Sequence, residues 1–459
     1  MKILVAIANH GTKNTEYARR LIREYQNMTY DCDVVILSNI PKDYGESVET
    51  VVGMPSKNPW SLPFLYKKLF FDRKEDYDLY IYSEDDTLIT EDNIRAFMKM
   101  CKLLDEDEIP GFMRYEVTPD KEKYIGTVHT CFHWLPETLK KKGEHVFARY
   151  TNDHSACFVL TKNHLQAAIR SGGFMVEPHE GPYDMLCSAA TDPYTRCGLK
   201  KYICLSDIDN FLLPHMPNNY FWNLGIPYGK FIAQVNWMIS ISEDDCRFEK
   251  LYAREPSLPT FRLNKNYYGE LVDIKEFIPR SSKRVLSVGC GSGDTERKLV
   301  ETGMEVTAIP VDHVMAALAK EKGIRVLTPT IEGAVKELGG SRFDCILFGD
   351  ILQHLENPGE VIDSFLDFLL PGGSLLIVNQ NCGIANSLKY FIKKEIPGIF
   401  NIHYDKHGIH LVNRRVLRKW LKSSRLKNKE ITLLGDGKKP KGSMFNYFVI
   451  PYVIAKCRK

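Results

Sequence analysis

The stretch that most constrains the fold is RVLSVGCGSGDTERKLVETGMEVTAIPVD, at residues 284–312. Its pattern predicts a strand, a glycine-rich turn, a helix and a second strand. Gly289, Gly291 and Gly293 permit positive φ angles and close approach of the backbone to a ligand. In a parallel sheet such a turn joins the first strand to a helix N-terminus, where nucleotide-like ligands bind. The sequence therefore predicts a Rossmann-like α/β domain with a ligand at this turn, and the alternative is a tight turn that binds nothing.

Two later segments extend the pattern: DILQHLENP from Asp350 to Pro358, and the PGG turn at 371–373. With the glycine-rich turn, they resemble the class I S-adenosylmethionine-dependent methyltransferases. The resemblance implies S-adenosylmethionine as the cofactor, and the residues that it assigns to the cofactor site are Gly289, Cys290, Gly291, Gly293, Asp312, Glu332 and Asp350. The family usually has an acid at the end of the second strand to bind the ribose. This chain has Pro310 there, so Asp312 is expected to replace that acid.

Three histidines lie where such enzymes hold the acceptor: His354 after the fourth strand, and His407 and His410 in YDKHGIHLVN after the fifth. A protonated sugar hydroxyl is a poor nucleophile, so a general base with a pKa near neutrality assists methyl transfer to it. We expect at least one of the three to be this base. The alternative for each is a surface or helix-capping histidine.

In the first half of the chain, apolar strands alternate with helical segments, which predicts a parallel α/β sheet with ligands at the carboxyl ends of its strands. Asn9, Asn39 and the acids Glu84, Asp85 and Asp86 all follow predicted strands. Buried carboxylates need partners, so the three acids either cap the next helix or bind a cation.

The acid triplet after its strand resembles the metal motif of GT-A glycosyltransferases. The resemblance implies a nucleotide-sugar donor and a Mn²⁺ or Mg²⁺ ion, which prefer oxygen ligands. It assigns direct metal binding to Asp86 with assistance from Asp85, contact with the donor ribose or a metal-bound water to Glu84, and a further metal ligand to His215. The alternative, a helix cap, is weaker because Thr90 is a better N-cap for the helix that follows.

The segment EPHEGPYDML supplies Asp184 and Glu180, where inverting members of that family carry the catalytic base. The alternative is an acid that stabilises a helix N-terminus through the helix dipole. Asn9 and Asn39 are expected to contact the nucleotide.

The length of 459 residues exceeds one ordinary core. We therefore predict a GT-A-like domain at 1–238, a connector at 239–270 and a methyltransferase domain at 271–459. The twelve cysteines include no Cys-x-x-Cys pair, as expected in a reducing compartment. No apolar window approaches the roughly 20 residues of a membrane span, so a cytoplasmic location is expected. The net charge of +3 gives no indication of a nucleic-acid partner.

The run NRRVLRKWLKSSRLKNK at 413–429 contains eight basic residues and no acid. One interpretation is peripheral docking on an anionic membrane surface. The other is a helix that packs its apolar face on the domain and exposes its charges to water.

Both resemblances together predict a bifunctional enzyme of surface-polysaccharide or O-antigen-type assembly. It would transfer a sugar from a nucleotide-sugar to a glycan acceptor, including a lipid-linked one, and methylate a glycan hydroxyl. One alternative is a single-activity methyltransferase with an N-terminal glycan-recognition domain. Another is a scaffold protein in which both sites are degenerate.

Overall fold

The computed structural model describes residues 1–126, 132–181, 183–220, 226–242, 248–256, 274–392, 399–422, 425–434 and 452–459. These residues form two compact units, Met1–Asp244 and Asp245–Lys459. The predicted connector at 239–270 lies outside the described residues at 243–247 and 257–270. Its stretch 248–256 belongs to the second unit, where it pairs with the backbone at the carboxyl end of the sheet.

The first unit begins with alternating strands and helices and continues mainly as strands. Its strands are β1 (Lys2–Ala8), β2 (Asp31–Ser38), β3 (Val48–Val52), β4 (Leu79–Glu84), β5 (Glu108–Pro110), β6 (Met113–Val117), β7 (Lys123–Ile125), β8 (Trp134–Lys142), β9 (His145–Tyr150), β10 (Cys157–Thr161), β11 (Lys200–Cys204), β12 (Leu212–Pro214) and β13 (Ile226–Pro227). Its helices are α1 (Thr15–Gln26), α2 (Leu65–Asp72), α3 (Glu91–Cys101), α4 (Lys162–Arg170), α5 (Met185–Thr195) and α6 (Tyr228–Ser240).

The main sheet of the first unit has the strand order β10-β4-β1-β2-β3, in which only β10 is antiparallel to its neighbour. Strands β1 and β4 are buried on both faces, as expected for central strands of a parallel sheet. Helix α1 buries Ala18, Leu21, Ile22 and Tyr25 on one side, which is the helical spacing that the sequence displays. The acid triplet therefore emerges at the centre of the carboxyl edge of this sheet.

The backbone after β12 pairs with the backbone after β4. Leu88 N donates to Pro214 O at 3.2 Å, and Met216 N donates to Asp86 O at 2.9 Å. This pairing joins segments more than a hundred residues apart in the sequence and places His215 directly beside the acid triplet.

The second unit consists of a single sheet with helices between its strands. The strands are β14 (Arg284–Cys290), β15 (Glu305–Pro310), β16 (Arg325–Val326), β17 (Phe343–Gly349), β18 (Leu369–Gln380), β19 (Lys427–Leu434) and β20 (Tyr452–Arg458). The helices are α7 (Asp294–Val300), α8 (His313–Glu321), α9 (Ile331–Leu338), α10 (Pro358–Phe365), α11 (Ile384–Ile392), α12 (Tyr404–His407) and α13 (Arg414–Trp420).

The strand order of this sheet is β16-β15-β14-β17-β18-β20-β19. The first five strands are parallel, and β20 is antiparallel to both of its neighbours. The order reverses between β14 and β17, and ligands bind at the carboxyl side of such a reversal in open α/β sheets. The predicted α/β fold class is confirmed, and the glycine-rich turn lies at this reversal.

The basic run forms α13, which begins at an Asn413 cap and buries Leu417 and Leu421 at 0% and 1% exposure. Its apolar face is thus packed within the unit, as the second interpretation expects, while membrane contact of the run stays a prediction. Within the described part of the chain, no helix is long and apolar enough to span a membrane.

Candidate functional site

The glycine-rich turn after β14 has a backbone that only glycine readily adopts at two positions. Gly289 and Gly293 have φ angles of +89° and +81°. A Cβ on Gly289 would lie 2.4 Å from Cβ of Ile351, and one on Gly293 would lie 2.8 Å from Cδ1 of Ile324. Gly291 is half-buried between them and Cys290 is buried. The turn therefore packs directly against the residue that follows Asp350.

Asp350 lies at the end of β17 and is the centre of a buried polar network. Its φ of +50° is left-handed, which is rare for a residue other than glycine and is characteristic of functional sites. The carboxylate is fully buried and accepts hydrogen bonds from Gln353 Nε2 at 2.8 Å and from Gln380 Nε2 at 3.0 Å. Asn379 donates to the Gln353 side chain. These contacts bind the ends of β17 and β18 together beside the glycine-rich turn.

The structure gives Asp312 a different role from the predicted ribose contact. Its Oδ1 accepts from Met315 N at 2.8 Å, which makes it the N-cap of α8. Only 1% of the residue is exposed, because Lys250 pairs with it and Leu251 N donates to Val311 O at 3.0 Å. Asp312 is thus a buried helix cap, and its contact with a ribose stays a prediction.

Glu332 is exposed in the first turn of α9, so the structure leaves it available to a ligand. Its neighbour Thr330 is the N-cap of that helix and accepts from Gly333 N at 3.1 Å.

The three predicted histidines occupy different environments. His354 is fully buried, and its ring lies 5.2 Å from the ring of Tyr252. His407 ends the short helix α12, with Nδ1 3.3 Å from the carbonyl oxygen of His403 in the preceding turn. His410 is half-buried, and its backbone N donates to Gln353 O at 2.8 Å. Among the three, His410 is bound to the Asp350 network without being enclosed by it.

The imidazole of His410 has a defined tautomer. Nε2 lies 3.1 Å from Leu355 O and 3.4 Å from Glu356 O, and because carbonyl oxygens only accept, Nε2 must carry the proton. The ring stacks on Tyr404 with centroids 4.6 Å apart. Burial lowers the pKa of His410 below its ordinary value, although the two carbonyls oppose this shift. The neutral ring therefore presents Nδ1 as a proton acceptor.

In the first unit, Asp85 and Asn9 belong to one hydrogen-bond network, and their predicted ligand contacts stay predictions. Asp85 is 7% exposed and accepts from Asn9 Nδ2 at 2.5 Å and from Asn14 Nδ2 at 2.8 Å. Asn9 is fully buried, and its Oδ1 accepts from Tyr44 OH at 2.8 Å and from Lys42. Burial raises the pKa of Asp85 to about 7, against the effect of the two amide donors. Both residues connect the ends of β1 and β4.

Asp86 lies on the opposite side of the strand and contacts His215. Asp86 Oδ2 is 3.3 Å from His215 Nε2, while His215 Nδ1 is 2.8 Å from Glu116 Oε1. Burial disfavours the charged imidazole, but the hydrogen bonds with Asp86 and Glu116 outweigh it and raise the pKa of His215. Thr90, and not Asp86, caps α3, since its hydroxyl accepts from Asn93 N.

Glu84 lies near Asp86 and the predicted base Asp184. Glu84 Oε1 is 3.7 Å from His154 Nε2. Burial raises the pKa of Glu84 and lowers that of His154, so the neutral form of each is favoured. Asp184 caps α5, because its Oδ1 accepts from Cys187 N at 2.9 Å, yet it is exposed and its charge also raises the pKa of Glu84. Glu180 is exposed.

An open cleft of about 580 Å³ lies at the ends of β1 and β2. It is lined by His10, Asn39, Met54, Ser56, Lys57 and Pro59. Asn39 Oδ1 accepts from Gly11 N at 2.7 Å, which fixes the loop after β1. The cleft thus lies at the carboxyl edge where the sequence predicts a nucleotide, with Asn39 in its wall.

Two observations concern the metal site that the sequence predicts in the first unit. No group of three or more His, Cys, Asp or Glu side chains within the described residues is arranged to hold a metal ion. Sequence reasoning also missed Glu116 and His154, because neither lies near the acid triplet in the sequence or belongs to a recognisable motif. The described side chains of this edge therefore supply a pair, Asp86 and His215, and not a complete ion site.

Comparison with known proteins identifies the second unit. Residues 263–430 match the family model described as a methyltransferase domain. The ubiquinone biosynthesis O-methyltransferase of Azotobacter vinelandii is 32% identical over 116 residues, which are 24% of this chain and 50% of that protein. The protein of the same name from Xylella fastidiosa is 33% identical over 118 residues, 24% of this chain and 48% of that protein. The chain thus spans about half the length of the curated relatives that it matches.

A solved structure, the SAM-dependent methyltransferase from Archaeoglobus fulgidus, is 15% identical, with a TM-score of 0.32, over 40% of this chain and 91% of that one. The GT-A resemblance of the first unit stays a prediction. In the second unit, in contrast, residues 263–430 match a methyltransferase domain.

Proposed function

We propose that the second unit is an S-adenosylmethionine-dependent O-methyltransferase. The observation that carries the proposal is the contact between the Gly289 turn and the residues around Asp350 at the point of strand-order reversal. Two glycines with positive φ form this turn, and Gly289 lets Ile351 pack against it. Open α/β sheets bind their ligands at the carboxyl side of such a reversal, which supports a cofactor at this turn. When bound, S-adenosylmethionine supplies a methyl group on a sulfonium. The names of the relatives, which specify O-methylation, support an oxygen acceptor.

His410 is the candidate base for this reaction. Its Nδ1 is free of the carbonyl contacts that hold Nε2, and its lowered pKa keeps the ring neutral at pH 7. The hydrogen bond from the backbone N of His410 to Gln353 O connects this residue to the Asp350 network. His354 is the less favoured candidate, because its ring is fully buried beside the Tyr252 ring.

The acceptor that we propose is a hydroxyl of a glycan, which the first unit would recognise. The open cleft beside Asn39 provides polar groups and a backbone edge of the kind that binds sugars and nucleotides. On this proposal the protein has one chemical activity, and the first unit selects the substrate.

Titration calorimetry with S-adenosylhomocysteine on the full chain tests cofactor binding. A tritiated methyl donor then tests transfer to a panel of glycans and of phenols. The expected result is cofactor binding and transfer to oxygen, with His410→Gln reducing kcat by at least about a hundredfold without changing cofactor affinity. If S-adenosylhomocysteine does not bind, the hypothesis that remains is a scaffold protein. A normal rate of methyl transfer in His410→Gln would exclude this residue as the base.

A second candidate function is sugar transfer by the first unit, supported by Asp86 and His215 at 3.3 Å on the same edge as the cleft. Two protein ligands do not hold Mn²⁺ or Mg²⁺ alone, so the phosphates of a nucleotide-sugar would have to complete the coordination. Binding of the ion and of the nucleotide would then depend on each other, with Asp184 or Glu180 as the base.

Calorimetry separates the two candidates. We expect each of Mn²⁺ and a panel of nucleoside diphosphates to bind weakly alone and tightly together, and Asp86→Asn to abolish the mutual dependence. Glu16→Gln, an exposed acid of α1, is the matched control. If no nucleotide binds with or without Mn²⁺, sugar transfer is excluded and the first unit is a recognition domain.

A further inference from the structure

Five large apolar side chains are exposed within one short segment of the second unit. Ile384 is 86% exposed, Phe391 52% and Ile392 62%, and Leu388 and Phe400 are also exposed. The first four lie at positions i, i+4, i+7 and i+8 of α11, which form one stripe of a helix. Phe400 joins this stripe, since its ring lies 5.7 Å from that of Phe391. We call these five residues the α11 face.

The α11 face is not an unfolded edge of the domain, because the segment beneath it has its own small core. Cys382, Ile399, Ile402 and Ile409 are buried together there. The backbone N of Cys382 donates to Val412 O, and this hydrogen bond holds the two residues together. The described residues of this segment bury four apolar side chains and expose five others, and a contiguous exposed apolar patch of this kind marks a contact surface.

The segment is also strongly basic. Residues 381–429 contain twelve Lys or Arg and two Asp or Glu, a net charge of +10 in a chain whose total is +3. Among the described residues, Arg414, Arg415, Arg418, Lys419 and Lys422 expose their charges. An apolar helical stripe in a basic segment is the composition of helices that lie in the surface of an anionic bilayer. A second protein copy would carry the same positive charge and repel this surface.

We propose that the α11 face docks on the surface of an anionic lipid bilayer. The helix lies in the interface, with its apolar side chains among the acyl chains and the basic residues at the headgroups. The same segment carries His410, so docking would bring the acceptor side of the methyltransferase site to the membrane. This proposal does not depend on the reaction that the protein catalyses.

Co-sedimentation of the full chain with lipid vesicles tests the proposal. Vesicles of phosphatidylcholine and phosphatidylglycerol should bind the protein, vesicles of phosphatidylcholine alone should bind it weakly, and salt should reduce binding. The variant Ile384→Ser/Phe391→Ser/Ile392→Ser should bind the anionic vesicles at least about tenfold more weakly. Met175→Ser is the matched control, since Met175 is 49% exposed in the first unit.

A second variant, Arg414→Gln/Arg415→Gln/Arg418→Gln, changes only exposed residues and should also weaken binding to anionic vesicles. Circular dichroism confirms that both variants are folded. The proposal is overturned if the wild-type chain does not bind anionic vesicles or if the serine variant binds them as well as Met175→Ser does. It is also overturned if sedimentation velocity shows a wild-type dimer that the serine variant dissociates while vesicle binding is unchanged.

Discussion

Replacing Gly289 by alanine tests the cofactor turn, because the new methyl group meets two separate penalties. The first is the φ of +89°, which costs an L-residue about 1–2 kcal/mol. The second is the distance of 2.4 Å to Cβ of Ile351, a contact with a group close to the backbone that can move only if the chain moves. Such overpacking costs about 1–3 kcal/mol. We therefore expect Gly289→Ala to lower the free energy of unfolding of the second unit by about 2–5 kcal/mol.

Gly303 supplies a matched control within the same unit. Its φ is +88°, and nothing lies within 4 Å of a Cβ placed on it. Gly303→Ala should therefore incur only the backbone penalty of about 1–2 kcal/mol. The difference between the two variants isolates the cost of the contact with Ile351.

Urea unfolding of the full chain measures both variants, and the transition of the second unit is the one that S-adenosylhomocysteine shifts. Ile351 follows Asp350, so a movement of Ile351 also disturbs the network at the end of β17. Cofactor affinity should accordingly fall in Gly289→Ala and remain unchanged in Gly303→Ala. Equal unfolding free energies and equal affinities in the two variants would refute the assignment of this turn to the cofactor.

Three further predictions follow from buried polar groups. Burial lowers the pKa of Lys201 to about 8 from 10.5, so between these values the unfolded chain binds the proton that the folded chain has lost, and the contribution of Lys201 to stability rises with pH by about 3 kcal/mol. The difference in unfolding free energy between the wild type and Lys201→Met should change by this amount between pH 8 and pH 10.5 in urea unfolding. Asp350→Ala should destabilise the second unit by about 1–3 kcal/mol more than Asp350→Asn, measured in the same way, because it removes both side-chain oxygens that accept from Gln353 and Gln380, whereas asparagine keeps one. The pH profile of kcat/KM should rise through a pKa below the ordinary 6.5 of histidine, and this limb should be lost in His410→Gln.

The glycine-rich turn could be predicted from sequence because its determinants are local. A positive φ and a close approach both require glycine at fixed positions after a strand, so Gly289 and Gly293 identify the turn without knowledge of the fold. The role of Asp312 could not be predicted in this way. It depends on Lys250, which pairs with Asp312 from a segment about sixty residues earlier and covers the carboxyl group.

The prediction that His215 lies beside the acid triplet rested on its order in the sequence. Its assignment to the acid triplet came from a family resemblance, and the structure brings it to Asp86 through the pairing of the backbone after β12 with the backbone after β4. The same resemblance contains no equivalent of Glu116, whose carboxylate holds the other ring nitrogen. No local sequence pattern marks a buried acid that lies opposite a histidine, because its position depends on where the fold places the imidazole ring.

The three consecutive acids, Glu84 at the end of β4 and Asp85 and Asp86 in the turn that follows, have different partners. Asp85 faces Asn9 and Asn14, while Glu84 and Asp86 face His154 and His215. Asp85→Ala would leave two amide donors without an acceptor, so it should destabilise the first unit by about 1–3 kcal/mol. Asp86→Ala removes one of the two acid contacts of His215 and leaves Glu116 in place, so it should change ligand binding more than stability.

Thermal unfolding and calorimetry with Mn²⁺ and nucleoside diphosphates measure the two effects separately. The observed partners predict that Asp85→Ala lowers stability without removing a ligand contact, and that any loss of ligand binding belongs to Asp86→Ala. A reversed result, with binding lost in Asp85→Ala at unchanged stability, would mean that the side chain of Asp85 turns away from Asn9 to reach the ligand. The hydrogen bonds of Asp85 with Asn9 and Asn14 would then not account for its role.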